Sequence, residues 1–287
     1  MSFGGLPEEL IDPARIRRIS PVAGGGIAEA YRVETTDGLV FAKCIHNAPP
    51  GLFEREAAGL VALREAGAMA VPEVLAVEES GLVLEWVEVD TRRRHNDAAF
   101  GAGLARLHSV RGERFGSIDD NSLSYVGSVE VTLEPAETWA RSYLAGRVRP
   151  LAQRCVMQRR LPESLMSLID LLILHGDEVV GPFEPPSLVH GDLWSGNRLR
   201  DVNGTPWLID PSVSWSSREL DFGMMTLFGG FSQETFDAYN EVLPLPDGWQ
   251  ERLGLHQLLP LLVHVNIFGD PYVGQLQSTL DDLTRGL

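Results

Sequence analysis

Between residues 188 and 212 the chain reads LVHGDLWSGNRLRDVNGTPWLIDPS, and it carries Asp192, Asn197 five residues later, and Asp210 at the end of an apolar run. Asn203-Gly204 is a two-residue hairpin signal, because both residues tolerate positive φ. With 198–202 and 205–209 as the strands, Val202 pairs with Thr205 and Asn197 falls opposite Asp210. Opposed residues share one face of a hairpin, with Cβ atoms about 5 Å apart. An amide oxygen and a carboxylate meeting there suit a hard, oxygen-preferring cation such as Mg2+. Pro206 can introduce a bulge and slip this register by one. Asp192, on the connecting loop, is left to face whatever is bound.

The N-terminal third offers groups that suit phosphate. Gly24, Gly25 and Gly26 lie between strand-like segments, where backbone N–H groups can approach an anion; a flexible turn is the equal alternative. Lys43 shares a strand face with Phe41 and Ile45. A cation on such a face needs an anionic partner or a bound phosphate. Glu56, on one helical stripe with Phe53, Leu60 and Leu63, is the expected partner. The backbone of Glu85, Trp86 and Val87 can read an adenine edge, although a buried strand entering a linker fits the same residues. An aspartate for a hydroxyl, an Asn and an Asp for metal, and a Lys for phosphates is similar to the phosphoryl-transfer apparatus of protein kinases.

The elements that must hold these residues change character near residue 88. Before it, AEAYRVET and LVFAKCI flank a hairpin turn at Thr36-Asp37-Gly38, and VPEVLAV and GLVLEWVE read as two further strands. FEREAAGLVALREAG reads as a helix closed by Gly67. Beyond it, AAFGAGLARLHS is helical through Phe100, Leu104 and Leu107, and more helices are expected near 217–228, 232–242, 248–267 and 272–284. The expectation is an α+β, bilobal, protein-kinase-like fold. A small β-rich lobe (1–88) would precede a larger helical lobe (89–287), with the ligand in the cleft.

Composition removes several classes. A net charge of −16 on 287 residues repels a nucleic-acid backbone, and Arg92, Arg93 and Arg94 read as a solvated loop. Two cysteines, Cys44 and Cys155, exclude a disulfide framework and suit a reducing compartment. No basic n-region with an apolar h-region opens the sequence, and the apolar run near Leu258–Phe268 is broken by His264 and Asn266. A cytoplasmic location without membrane or obligate protein partner is expected.

HGDLWSGN, with Leu193-Trp194-Ser195-Gly196 inside it, resembles the fructosamine kinase (ketosamine 3-kinase) family, related to aminoglycoside and choline kinases. FEREAAGL, LVLEWVE, LARLH, YVGS, RVRP, SRELDFGMMTLFGGF and HVNIFGDPY extend that resemblance over nearly the whole chain. It implies ATP- and Mg2+-dependent phosphorylation of the 3-hydroxyl of ribulosamines, erythrulosamines or fructosamines, on free amines or protein lysines. The unstable product frees the amine, a deglycation. Asp192 would be the catalytic aspartate, Asn197 and Asp210 the magnesium ligands, and Lys43 with Glu56 the phosphate contact. Trp194, Arg218, Glu219 and Asp221 are candidate substrate contacts, and His190 would brace the loop. His264, Asn266 and Tyr272 read as core or loop hydrogen-bonders. Some relatives carry a redox-sensitive cysteine in the glycine-rich loop, and Gly26 takes that place here. Asp210-Pro211-Ser212 replaces the Asp-Phe-Gly of protein kinases, with no evident activation segment after it. The rival readings are a kinase for an aminoglycoside, choline or a similar amino alcohol, and a catalytically silent ATP-binding protein.

Overall fold

The computed structural model describes residues 5–22, 28–90 and 96–287. Glycines 24–26, expected to contact phosphate, and arginines 92–94 therefore lie outside the described residues. In chain order, β1 (Ile16–Pro21), β2 (Glu29–Thr35), β3 (Leu39–Cys44), helix α1 (Leu52–Glu65), β4 (Val74–Glu78) and β5 (Gly81–Glu85) come first. The strands make one antiparallel sheet in the order β1-β2-β3-β5-β4. β2 and β3 join through Thr36 and Asp37, where Thr35 N–H donates to the Gly38 carbonyl at 2.8 Å. β5 is covered on both faces, which explains its unbroken apolar run. Leu82 and Leu84 pack with Phe53, Leu60 and Leu63 of α1, while Val83 packs with Val33 and Ala42. Gly67, at φ +63°, stops the chain just after α1.

The rest is mainly helical. α2 (Asp97–His108) is capped by the Asn96 side chain, which accepts from Ala99 N–H at 3.2 Å. A hairpin of β6 (Leu123–Val126) and β7 (Val129–Thr132) follows. A π-helical stretch, Arg141–Val148, then runs directly into α3 (Arg149–Met157), followed by α4 (Leu165–Leu174) and the short α5 (Gly176–Val179). Four short strands come next: β8 (Ser187–Val189), β9 (Arg198–Arg200), β10 (Pro206–Leu208) and β11 (Ser214–Ser216). They pair as β8 with β11 and β9 with β10. Four helices close the chain: α6 (Glu219–Phe228), α7 (Gln233–Val242), α8 (Leu253–Phe268) and α9 (Val273–Thr284), each where the apolar periodicity predicts one. The β6–β7 hairpin and helices α3 and α4 were not legible beforehand. No helix among the described residues is long and apolar enough to cross a membrane.

His256 of α8 lies fully buried in the helical core. Its Nδ1–H donates to the Arg252 carbonyl, while its Nε2 accepts from Trp139 Nε1, both at 3.1 Å. Burial pushes its pKa down to about 3. In the unfolded chain a histidine titrates near ~6.5. Between those values the unfolded chain binds a proton that the folded chain refuses. This contribution to stability is therefore present above ~6.5 and is lost as pH falls through that value. Replacing His256 by Gln removes the dependence. The wild type should lose stability relative to H256Q by about 1.4 kcal/mol per pH unit on acidification below ~6.5, read from urea unfolding at a series of pH values. A pH-independent difference would contradict the assignment.

Candidate active site

The β9–β10 hairpin differs from the expected one by a residue. Arg198 pairs with Leu208, Leu199 with Trp207 and Arg200 with Pro206. Asp201 N–H then donates to the Thr205 carbonyl at 3.0 Å. The loop is thus Val202-Asn203-Gly204, a three-residue connection with Gly204 at φ +93°. The cause is Asp201, whose Oδ1 accepts from Asn203 N–H at 2.9 Å and Thr205 N–H at 2.8 Å. Asn197 consequently faces Ile209, whose N–H donates to its carbonyl at 3.1 Å, and not Asp210.

The two residues meet by another route. Asn197 donates its Nδ2 to the Asp192 carbonyl at 2.8 Å and to the Asp210 carbonyl and Asp192 Oδ2, both at 3.3 Å. Asp210 itself adopts φ +51°, a left-handed conformation that an Asp or Asn tolerates. Since the amide nitrogen serves protein acceptors, Asn197 Oδ1 would be the atom free to join the Asp210 carboxylate in holding a cation at this cavity. That all-oxygen pair fits Mg2+, which takes one or two protein ligands and completes its shell with phosphates and water. Among the described residues no group of three or more His, Cys, Asp or Glu side chains is placed to hold a metal alone.

β8 delivers His190-Gly191-Asp192. Gly191 sits at φ +83°, and a Cβ there would collide with the Ser212 carbonyl, so the close pass of these two segments requires glycine. His190 is fully buried and braces the loop as expected. Its Nδ1 accepts from Asp192 N–H at 3.3 Å, which places the proton on Nε2 for the Ile209 carbonyl at 2.9 Å. Burial holds its pKa below the usual value, so the ring stays neutral. Burial, with the Asp210 charge adding to it, pushes the Asp192 carboxyl up to about 7.

The segment after Asp192 is locked from behind. Arg198 lies over the rings of Phe100 and Phe231, at 5.4 and 4.4 Å from their centroids. It pairs with Asp97 at 2.8 Å and donates to the Gly230 carbonyl at 2.6 Å. Gly230, at φ +88°, packs so close to Ser195 that a Cβ would come within 2.5 Å of the serine Cβ. The Phe228-Gly229-Gly230-Phe231 run is therefore the seat of the Ser195–Asn197 turn. Gly230→Ala should cost about 1–3 kcal/mol in backbone strain alone. It should also lower kcat by displacing Asn197; thermal unfolding and steady-state kinetics measure the two effects separately.

Lys43 Nζ sits 3.0 and 2.9 Å from the two Glu56 oxygens and 3.1 Å from Asp210 Oδ1. Burial opposes the lysine charge, but the two carboxylates outweigh it and hold the pKa above normal. Burial drives the Glu56 carboxyl upward, against the pull of Lys43. These groups, with Asp192 and Asn197, open on one cavity of about 520 Å³. Trp194, Met224, Phe228, Val263, His264 and Phe268 form the apolar and aromatic part of its wall, and the β6–β7 turn, Val126 to Ser128, lines it as well. Trp194, 41% exposed, folds its indole against Gly196, where a Cβ would overlap the ring. His264 does hydrogen-bond the backbone, donating Nδ1–H to the Pro260 carbonyl at 2.7 Å, yet it also faces the cavity and lies 4.9 Å from the Phe228 ring. Of this wall only Trp194 is a candidate substrate contact from the sequence; HVNIFGDPY and LFGGF hold the signal for the rest.

Six other candidate residues do not line this cavity. Glu85, Trp86 and Val87 do not line the cavity: Glu85 N–H donates to the Glu73 carbonyl at 2.9 Å, and Trp86 donates its indole N–H to Glu88 at 2.9 Å. Arg218, Glu219 and Asp221 are all buried and none reaches the cavity. Arg218 pairs with Glu184 at 2.7 Å, and Glu219 with Arg252 at 2.6 Å. Asp221 accepts from His190 and Gly191 N–H at 2.8 Å each. Buried charges need partners, and these three find them inside the helical lobe rather than in a substrate.

A five-stranded N-terminal sheet, a mainly helical remainder and acidic loops at one cavity define a protein-kinase-like phosphotransferase. Solved structures agree on that fold. A choline kinase from Streptococcus pneumoniae superimposes with a TM-score of 0.60 at 14% identity over 94% of each chain. An aminoglycoside phosphotransferase does so with a TM-score of 0.60 at 15% identity over 94% of each chain. A candidate fructosamine-3-kinase from Thermobifida fusca is more similar, with a TM-score of 0.86 and 34% identity over 97% of both chains. A candidate ketoamine kinase of Enterococcus faecium is 33% identical over 273 residues, 92% of this chain and 95% of the relative. The model of the fructosamine kinase family matches residues 5–285, and the chain belongs to that family of phosphotransferases acting on hydroxyl groups. The chloroplastic protein-ribulosamine 3-kinase of Arabidopsis thaliana, 31% identical over 283 residues, covers 95% of this chain and 84% of its own length.

Proposed function

We propose that this protein transfers the γ-phosphoryl group of ATP, with Mg2+, to the 3-hydroxyl of a ketosamine, on a free amine or a glycated protein lysine. The observation that carries the reading is the convergence of Asp192, Asn197, Asp210 and the Lys43–Glu56 pair on one cavity. Residues 1–88 serve as the nucleotide lobe and 89–287 as the acceptor lobe. Asp192 orients the hydroxyl and takes its proton as the oxygen bonds to the γ-phosphorus and the bond to the bridging oxygen breaks. Lys43, aligned by Glu56, contacts the phosphates. Asn197 and Asp210 would hold Mg2+, which supplies charge neutralisation at the phosphates when bound.

The acceptor wall separates this reading from its neighbours. Among the described residues, the only carboxylates lining the cavity are Glu56, Asp192 and Asp210, the first and last of them paired with Lys43; Trp194, Met224, Phe228, Val263, Ile267 and Phe268 add an apolar wall. Such a wall suits a sugar carrying one amine and gives a polycation no array of counter-charges. A silent ATP-binding protein would have no use for Asp192, Asn197, Asp210 and Lys43 together. ATP consumption on ribulose-, erythrulose- and fructose-lysine, against choline and kanamycin, tests the proposal. Turnover of at least one ketosamine is expected; turnover of choline or kanamycin alone would overturn it.

A further inference from the structure

The LARLH stretch ends α2 on His108, a fully buried ring that the phosphoryl-transfer chemistry does not touch. Its Nε2 lies 3.0 Å from Asp221 Oδ2, and its Nδ1 lies 2.9 Å from the Tyr239 hydroxyl. Burial keeps the ring neutral. A carboxylate can only accept, so Nε2 carries the proton and Nδ1 accepts from Tyr239 O–H. Arg218 Nη1 donates to the same hydroxyl oxygen at 3.3 Å, turning the Tyr239 proton toward His108. Arg218 is itself fixed by Glu184 and by the Leu243 and Pro244 carbonyls, at 2.9 and 2.6 Å. From Arg218 Nη1 through the Tyr239 hydroxyl to His108 Nε2, the donors run one way, toward Asp221. From the other side Asp221 takes the N–H groups of His190 and Gly191, the two residues before Asp192.

We infer that His108 is a positioning residue for the phosphoryl-transfer loop, acting through Asp221 to fix the backbone that presents Asp192. A buried carboxylate deprived of a donor is under-satisfied. Asp221 then shifts or rotates to recover a partner, and Asp192 moves with the loop. Small displacements of reacting groups cost rate more than they cost binding of a remote nucleotide.

The inference rests on the role proposed for Asp192, and the experiment keeps the two apart. His108→Leu, His108→Gln and His108→Asn are compared in the full chain on whichever acceptor the wild type phosphorylates, with folding checked by thermal melts. Leucine removes the donor, and kcat should fall about 10- to 100-fold while KM for ATP stays within about twofold. Glutamine places an N–H near the Nε2 position and should bring kcat back to within about threefold of wild type. The shorter asparagine does not reach Asp221 and should stay at least about tenfold below glutamine. The Gln–Asn comparison decides the matter even if the leucine protein fails to fold. Equal kcat for those two, or a loss confined to KM for ATP, would overturn the inference. Wild-type turnover in Asp192→Asn would instead refute the role of Asp192, whatever the His108 variants do.

Discussion

Asp192→Asn should lower kcat by roughly 10³-fold while leaving ATP affinity within about threefold, since loss of a positioned base removes 10²–10⁴ in rate. The geometry makes this a specific test. An asparagine fills the same space, and its carbonyl oxygen can still accept from Asn197 Nδ2, now 3.3 Å from the Asp192 carboxylate. His190 continues to brace the loop through the Ile209 carbonyl. What disappears is the capacity to accept the hydroxyl proton. Single-turnover kinetics with separately measured nucleotide binding distinguishes this from a damaged site. A D192N enzyme that turns over normally would remove the central residue of the account.

Asp210→Asn should be almost as damaging, by a different route. Asparagine tolerates the φ of +51° found at this position, so the backbone can be retained. The carboxylate charge beside Lys43 is lost. The expected fall in kcat is about 10²- to 10³-fold, the scale of several kcal/mol of charge stabilisation. Unlike the Asp192 variant, D210N should recover partly as magnesium is raised, because its defect is in metal affinity. A magnesium titration with a wild-type midpoint in D210N would show that Asp210 does not hold the metal.

Residue spacing conveyed the chemistry better than it conveyed the geometry. Lys43 and Glu56 were legible because strand alternation and a helical stripe each placed one charge on an apolar face, and opposite buried charges must meet. The final four helices were legible from periodicity. The hairpin register was misread because Asn203-Gly204 looks like a two-residue turn, whereas the Asp201 carboxylate binds two loop N–H groups and favours three residues. Arg218, Glu219 and Asp221 open α6, where charges are usually solvated. Their burial depends on partners as distant as Glu184 and Arg252, which no local pattern reveals. Beyond Trp194, the aromatic wall was not legible for the same reason: Phe228 and His264 come from different helices and meet only in the folded lobe.

The most direct measurement is the position of the phosphoryl group in the product formed from ribulose-lysine, ATP and Mg2+. Phosphorus–proton correlation NMR should place it on the 3-hydroxyl, with formation slowed roughly 10³-fold in D192N. A phosphate on another hydroxyl, or no product from any ketosamine while choline or kanamycin is phosphorylated, would contradict the account.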